Sequence, residues 1–354
     1  MKKYSNIGVI LGATITIVCL LASTNYLSFK FASLEPSAIS LININLTKRI
    51  KETPYDCYIV GSSQCAQIQP KIISDITGIK TLVACAPGGD ISYIYSTIKD
   101  IIKKTKTKPV IIAEFSPRYV STKIEDLVYR DTLKYLNASD WIDSELPLIF
   151  NKKKYRKYYF DGIESSIIPC VRYKYSIKFL VNNKFPLLAD LLMNSKAKAT
   201  KRYSNGVAKD GHVGPYPRKP PPFFVPNKKS KVSTAISHKL SLWKKLYELH
   251  SNSNIFLIIC KPAYHHSWDY HYKHKYDKKV YDLETFLITN GVPEIDCTTI
   301  NIKDSDCHDA HHFTWNGAAK ISELVAFRLS KILNKQNVNK EDVCLTGKKL
   351  SELN

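Results

Sequence analysis

Acidic residues are scarce in this chain. Against 52 Lys and Arg stand 31 Asp and Glu, which leaves a net charge of +21 over 354 residues. That imbalance turns the surface towards anionic partners: nucleic acid, anionic lipid or an acidic polymer. Excess lysine from genome composition alone is the plainer reading. Several other signals are missing. The nine cysteines contain no C-x-x-C pair, and the ten histidines show no recognised zinc-ligand spacing. The sequence therefore calls for no metal and no cofactor. No internal repeat divides it, which excludes a solenoid. Disorder is excluded too, because 44% hydrophobic and 11% aromatic residues supply ample core.

Charge is also missing from Ile7 to Leu27, just after Met1-Lys2-Lys3. A run of about 20 apolar residues matches the thickness of a bilayer crossed as a helix. Lys2 and Lys3 argue that the N-terminus stays in the cytoplasm and that the rest is exported. The expectation is a single-pass anchor over 1–30; a cleaved signal peptide ending near Leu21-Ala22-Ser23 is the competing reading. Export demotes nucleic acid as a partner and leaves the membrane surface or an acidic envelope polymer. It also permits disulfides, yet Cys85, Cys260 and Cys297 lie in apolar runs where cysteine acts as a small hydrophobe, so pairing stays open.

After a stem at 31–54, short apolar runs alternate with helix-compatible stretches. Cys57–Val60, Lys80–Cys85, Pro109–Phe115, Asn254–Cys260 and Pro293–Cys297 read as strands. Helices are expected from Ser63 to Ile76, from the Pro87–Asp90 turn to Lys104, over 233–250 and 278–290, and from about Trp315 to Leu333. Continuous apolar strands alternating with helices predict an α/β fold, a three-layer sandwich around a parallel sheet. The sheet domain spans 55–118 and 232–335, interrupted by an insertion at 119–231 and followed by a tail at 336–354. The insertion ends in a basic, Pro-rich tract, Lys196–Lys231, which reads as a loop or cover, either solvated or holding acidic polymer or lipid headgroups.

In parallel sheets, sites gather at the carboxyl ends of strands. Ser63 follows the first strand, Gly88-Gly89 the second, Arg118 the third, and Asp309 and His312 the last. An acid three residues before a histidine can fix the ring's tautomer and prepare it as a general base. Such a base activates a serine hydroxyl, and amides at Ser63 and Gly89 would serve as oxyanion donors. Ser63 as a simple N-cap, and Gly88-Gly89 as a simple turn, are the bland readings. His311 competes with His312 as the base, but the spacing to Asp309 favours His312.

These residues resemble the SGNH (GDSL-type) hydrolases and acyltransferases, which have a flavodoxin-like α/β fold. The family's Gly-Asp-Ser block is similar to Gly61-Ser62-Ser63, its second-block glycine to Gly89 with Gly88 beside it, and its Asp-x-x-His block to Asp309 and His312. At the third block Arg118 stands where the family carries an oxyanion asparagine. The resemblance covers about 55–118 and 250–335. With its anchor and insertion the chain looks most like envelope members, the D-alanyl-transfer protein of teichoic-acid modification and the partners of polysaccharide O-acetylation. It implies catalysis by Ser63, His312 and Asp309, with Ser63, Gly89, Gly88 and Arg118 around the oxyanion. It further implies an acyl donor, an envelope glycopolymer as acceptor and a membrane-bound O-acyltransferase as companion. A second expectation is a catalytically silent relative that binds a glycopolymer or such a membrane partner, favoured by Arg118. His265, His266, His271 and His274, with Trp268, read as a loop that contacts substrate. Joined to His308 or Cys307, they are also the basis of a third reading, a zinc hydrolase.

Overall fold

The computed structural model describes residues 11–16, 19–20, 23, 55–86, 89–116, 236–268 and 278–335. The stem, the insertion, the basic tract, the tail, Gly88, Arg118, His271 and His274 lie outside the described residues. Helical residues occur within the expected anchor at 11–16, 19–20 and 23. Among the described residues, no helix is long and apolar enough to cross a membrane.

Five parallel strands form one sheet: β1 Cys57–Val60, β2 Thr81–Val83, β3 Val110–Glu114, β4 Phe256–Lys261 and β5 Glu294–Asp296. Their order across the sheet is β2-β1-β3-β4-β5. Tyr58 faces Leu82 on one side and Ile111 on the other, Ile111 faces Leu257, and Cys260 faces Ile295. The α/β sandwich expected from the alternating runs is therefore what the chain forms. A strand buried on both faces has to be apolar at successive positions, which is why the runs are continuous rather than alternating.

Among the described residues, five helices cover the sheet: α1 Pro70–Thr77, α2 Ile91–Lys104, α3 Ile236–Ser251, α4 Lys278–Thr289 and α5 Trp315–Lys335. Tyr58, Val60, Leu82, Ile111, Ala113, Leu257 and Ile259 pack with α2, α3 and α4. The alternate residues Cys57, Ile59, Val83, Ile112, Ile258 and Ile295 pack with α1 and α5. Six of the described cysteines (Cys57, Cys65, Cys85, Cys260, Cys297 and Cys307) are buried free thiols. Burial pushes the Cys57 and Cys307 thiols up to about 12, so both stay protonated and serve as packing.

Two boundaries differ from expectation in ways that shape the site. The helix expected to run from Ser63 to Ile76 is split into a 3-10 turn at Cys65–Gln67 and α1. Pro70 opens α1 and disfavours helix at Gln69, whose backbone is extended. The second strand is shorter than 80–85, but the Ala84 and Ala86 amides still donate to Ile59 O (2.7 Å) and Gly61 O (3.0 Å). The chain thus follows β1 to its carboxyl end before Asp90 caps α2, accepting from the Ser92 and Tyr93 amides at 3.1 and 3.4 Å.

Candidate active site

The sheet changes direction between β1 and β3, because the chain adds β2 on one side of β1 and β3 on the other. Doubly wound sheets open a crevice at this point, outside the strand carboxyl ends. Gly61-Ser62-Ser63 lies there, directly after β1.

The histidine expected as the base comes from the other end of the chain. Residues 303–314 fold into a tight loop, closed by the Cys307–Phe313 bridge and by Thr314 N–H donating to Asp306 O at 2.9 Å. His308 N–H donates to His312 O at 2.9 Å, and buried Asp306 receives Lys320 Nζ from α5 at 2.7 Å. Within this loop Asp309 Oδ1 accepts the His311 and His312 amides at 3.0 and 2.9 Å. The His312 ring lies across the same carboxylate, with Nδ1 at 2.9 Å from Oδ2. A carboxylate only accepts, so Nδ1 carries the proton and Nε2 presents a lone pair. Ser63 Oγ donates to that Nε2 at 2.9 Å.

Burial alone would raise the Asp309 pKa. The hydrogen bonds from the His312 ring and the His311 amide, with the charge that either imidazole carries when protonated, outweigh it and hold the carboxyl well below the usual range. The acid therefore stays ionised at any ordinary working pH. His311 is close enough to contact Asp309 Oδ1 (3.4 Å), and its ring centre lies 4.1 Å from that of His312 at a tilt of 45°, but the Ser63 hydroxyl points to His312.

Two side chains that the sequence reading did not single out hold this geometry. Glu114, at the end of β3, is only 3% exposed. Its Oε2 accepts the Ser62 amide at 2.6 Å and its Oε1 accepts the Ser62 hydroxyl at 2.7 Å. Ser62 Oγ in turn accepts from the Gln64 amide at 3.2 Å. The turn that bears Ser63 is wrapped around this carboxylate. Burial pushes the Glu114 pKa up, and the Ser62 hydroxyl and amide partly offset that. Gly61 makes room for it: a Cβ there would meet Glu114 Cβ at 2.5 Å. The signal in the sequence was an acid at the end of an otherwise apolar strand.

Glu114→Ala leaves a buried amide and a buried hydroxyl without their acceptor, at a cost of about 1–3 kcal/mol each. Glu114→Gln keeps one acceptor for the Ser62 amide. Thermal melts are expected to rank wild type above Gln and Gln above Ala; an Ala variant as stable as wild type would contradict this role.

The second is Gln67, in the turn after Ser63. Its Nε2 donates to Phe313 O at 2.8 Å and its Oε1 accepts Phe313 N–H at 2.9 Å. One amide side chain thus grips both main-chain groups of the residue next to His312, across 246 positions of sequence. Nothing in the sequence pattern marked it, because its partner is backbone.

The other expected site residues fall as follows. Gly89 sits against the Gly61-Ser62-Ser63 turn, since a Cβ there would lie 2.7 Å from Gly61 O. Its amide donates to Ala86 O at 2.8 Å, so it closes its own turn in this structure. The oxyanion role expected of that amide requires the bond to be shared or released. Gly88 and Arg118 lie outside the described residues. His265 is buried beside the same loop, its amide donating to Ala310 O at 2.9 Å, and His266 lies exposed next to it. His265 pairs with Asp304 at 2.7 Å. Trp315, half exposed, opens α5 three residues after His312, and its carbonyl accepts Gln69 Nε2 at 3.3 Å.

The arrangement has a hydroxyl, an imidazole and an ionised carboxylate in series, which is the set that activates a serine for acyl transfer. No protein-family model matches this chain, and no curated protein sequence matches it significantly.

Proposed function

We propose that this chain is a serine acyltransferase or esterase of the cell envelope, anchored by its N-terminal apolar run, acting on O-acyl groups of a glycopolymer. The observation that carries the reading is the series Ser63 Oγ, His312 Nε2, His312 Nδ1, Asp309 Oδ2, with both hydrogen bonds at 2.9 Å. Ser63 Oγ attacks the acyl carbonyl as His312 takes its proton. Asp309 orients the imidazole and stabilises the imidazolium. The imidazolium then protonates the leaving oxygen, and Ser63 holds the acyl group. A sugar hydroxyl, or water, deprotonated by His312, resolves the ester and frees the serine. The oxyanion needs N–H donors, each worth about 3–4 kcal/mol in the transition state. The Ser63 amide is one by position; the likeness to the SGNH family points to the Gly89 amide with Gly88 beside it, and Arg118 stands where the family carries its asparagine donor. The net charge of +21 suits an acidic envelope polymer.

A silent, binding-only relative is the second reading, favoured by the Gly89 amide being engaged with Ala86 O and by Arg118 in the asparagine position. Covalent labelling of the full-length chain by a fluorophosphonate separates the two. Labelling at Ser63 supports the enzyme; an unlabelled wild type, under conditions where an active serine hydrolase reacts, supports the silent relative.

A further inference from the structure

We propose that His265, His266 and Asp304 form a divalent transition-metal site, fitted to Zn²⁺, that ties the loop after β4 to the loop carrying Asp309 and His312. Two imidazoles and one carboxylate offer ligand atoms that all lie within 4.8 Å of one another. Two nitrogen donors and one oxygen suit zinc and disfavour magnesium or calcium, which take oxygen ligands.

The surroundings of His265 match those of a metal-bound histidine. Ligating imidazoles almost always donate their other ring N–H to a fixed acceptor, which sets the tautomer and the ring's aim. His265 Nδ1 lies 2.9 Å from Ser267 Oγ, and Nε2 points at Asp304 Oδ1 at 2.7 Å. In the metal-free protein Ser267 N–H donates to Nδ1 at 3.3 Å, so the ring proton sits on Nε2 and donates to Asp304. Zinc binding would require that proton to move to Nδ1, with the 3.3 Å bond from Ser267 N–H given up and Ser267 Oγ as the acceptor, and would leave the Nε2 lone pair for the ion. No net proton leaves the pair. His266 holds its ring centre 3.9 Å from that of His265, tilted by 46°, and brings the second imidazole. His266 and Asp304 face solvent, so the fourth tetrahedral position goes to water.

Position gives the site its consequence. His265 is buried, and its amide donates to Ala310 O, between Asp309 and His311. Asp304 starts the 3-10 turn that leads to Asp306, at the root of the same loop. An ion bridging these ligands ties the start of the segment that holds the proposed acid and base to the loop after β4, whose His265 amide already holds Ala310. A second group, Asp309, His311 and His312, also brings ligand atoms within 4.8 Å. Its carboxylate already accepts two amides and the His312 ring N–H, and a metal there would displace the proton that orients the base.

The test is zinc binding by the full-length, chelator-stripped chain in detergent, measured by competition with a chromophoric chelator and by melting temperature. One equivalent is expected to bind and to raise the melting temperature with zinc concentration. His266→Ala and Asp304→Asn, both at exposed positions, are expected to weaken binding more than about a hundredfold. Ser267→Ala is expected to weaken it about tenfold to a hundredfold, the range for removing an outer partner. No stoichiometric binding, or binding unchanged in His266→Ala and Asp304→Asn, overturns the assignment. Binding lost only in His311→Ala or His312→Ala places the ion on the other group and also overturns it. The readout involves no ester substrate, so it stands or falls separately from the acyl-transfer proposal.

Discussion

Ser63→Ala is expected to abolish fluorophosphonate labelling and to lower acyl transfer or ester hydrolysis on the order of a million-fold, with His312→Ala close behind. The two act as one unit, so the double variant should be hardly worse than either single one. Asp309→Asn is expected to cost about ten-thousandfold while leaving the fold intact. Geometry explains the size of that effect. Asp309 Oδ1 accepts the His311 and His312 amides, so an asparagine must keep its oxygen there. Its NH₂ then falls at the Oδ2 position, 2.9 Å from His312 Nδ1 in the native protein. Two donors would face each other unless the ring moves its proton to Nε2. In that tautomer Nε2 no longer accepts from Ser63. Labelling measured in all three variants decides it: persistence in Ser63→Ala would remove this serine as the nucleophile. Near-normal labelling in Asp309→Asn would remove the acid from the series.

The second large effect is expected at Gln67, a residue that touches none of the reacting atoms. Gln67→Ala leaves Phe313 N–H and C=O buried and unpaired, at about 1–3 kcal/mol for each group. That is a sizeable share of the roughly 5–15 kcal/mol by which domains are stable. The kinetic effect should be separable from the stability loss. Phe313 is the next residue after His312, so releasing it lets the imidazole drift from Ser63. A displacement of about 1 Å costs on the order of a hundredfold in rate. Well below the melting temperature, kcat should fall while KM holds, and labelling should slow in step. Gln69→Ala is the matched comparison: its side chain reaches Trp315 O at 3.3 Å and should affect rate far less. A Gln67→Ala protein that melts early yet labels at the native rate would reduce Gln67 to a structural residue.

The fold was largely legible before any coordinates. The first four strands were located by their apolar runs, because a parallel strand covered on both sides favours apolar residues, whereas the short edge strand Glu294–Asp296 buries only Ile295 fully and was placed by the alternation of strand and helix. Their edges were less legible, as Thr81–Val83 illustrates. Ala84 and Ala86 keep bonding to β1 although the regular ladder has ended, and composition does not mark that change. The broken helix after Ser63 was readable in principle, since Pro70 forbids helix continuity through Gln69. The site divides the same way. Ser63, Asp309 and His312 stood out by residue type and by position after strands. Glu114 left a faint trace as an acid closing an apolar strand, and Gln67 left none.

What the sequence determined by itself was local. The three-residue spacing of Asp309 and His312 lets one turn of chain bring carboxylate to imidazole, and the apolar periodicity sets strands against helices. Tertiary structure decided everything that spans the chain. It placed Ser63 against a base 249 positions away, buried Glu114 beneath the nucleophile turn, engaged the Gly89 amide with Ala86, and set Asp304 beside His265. The physical reason is reach. Backbone dihedrals fix neighbours within a turn or two, whereas long-range partners are chosen by strand order and by the packing of α1 and α5 on one face of the sheet.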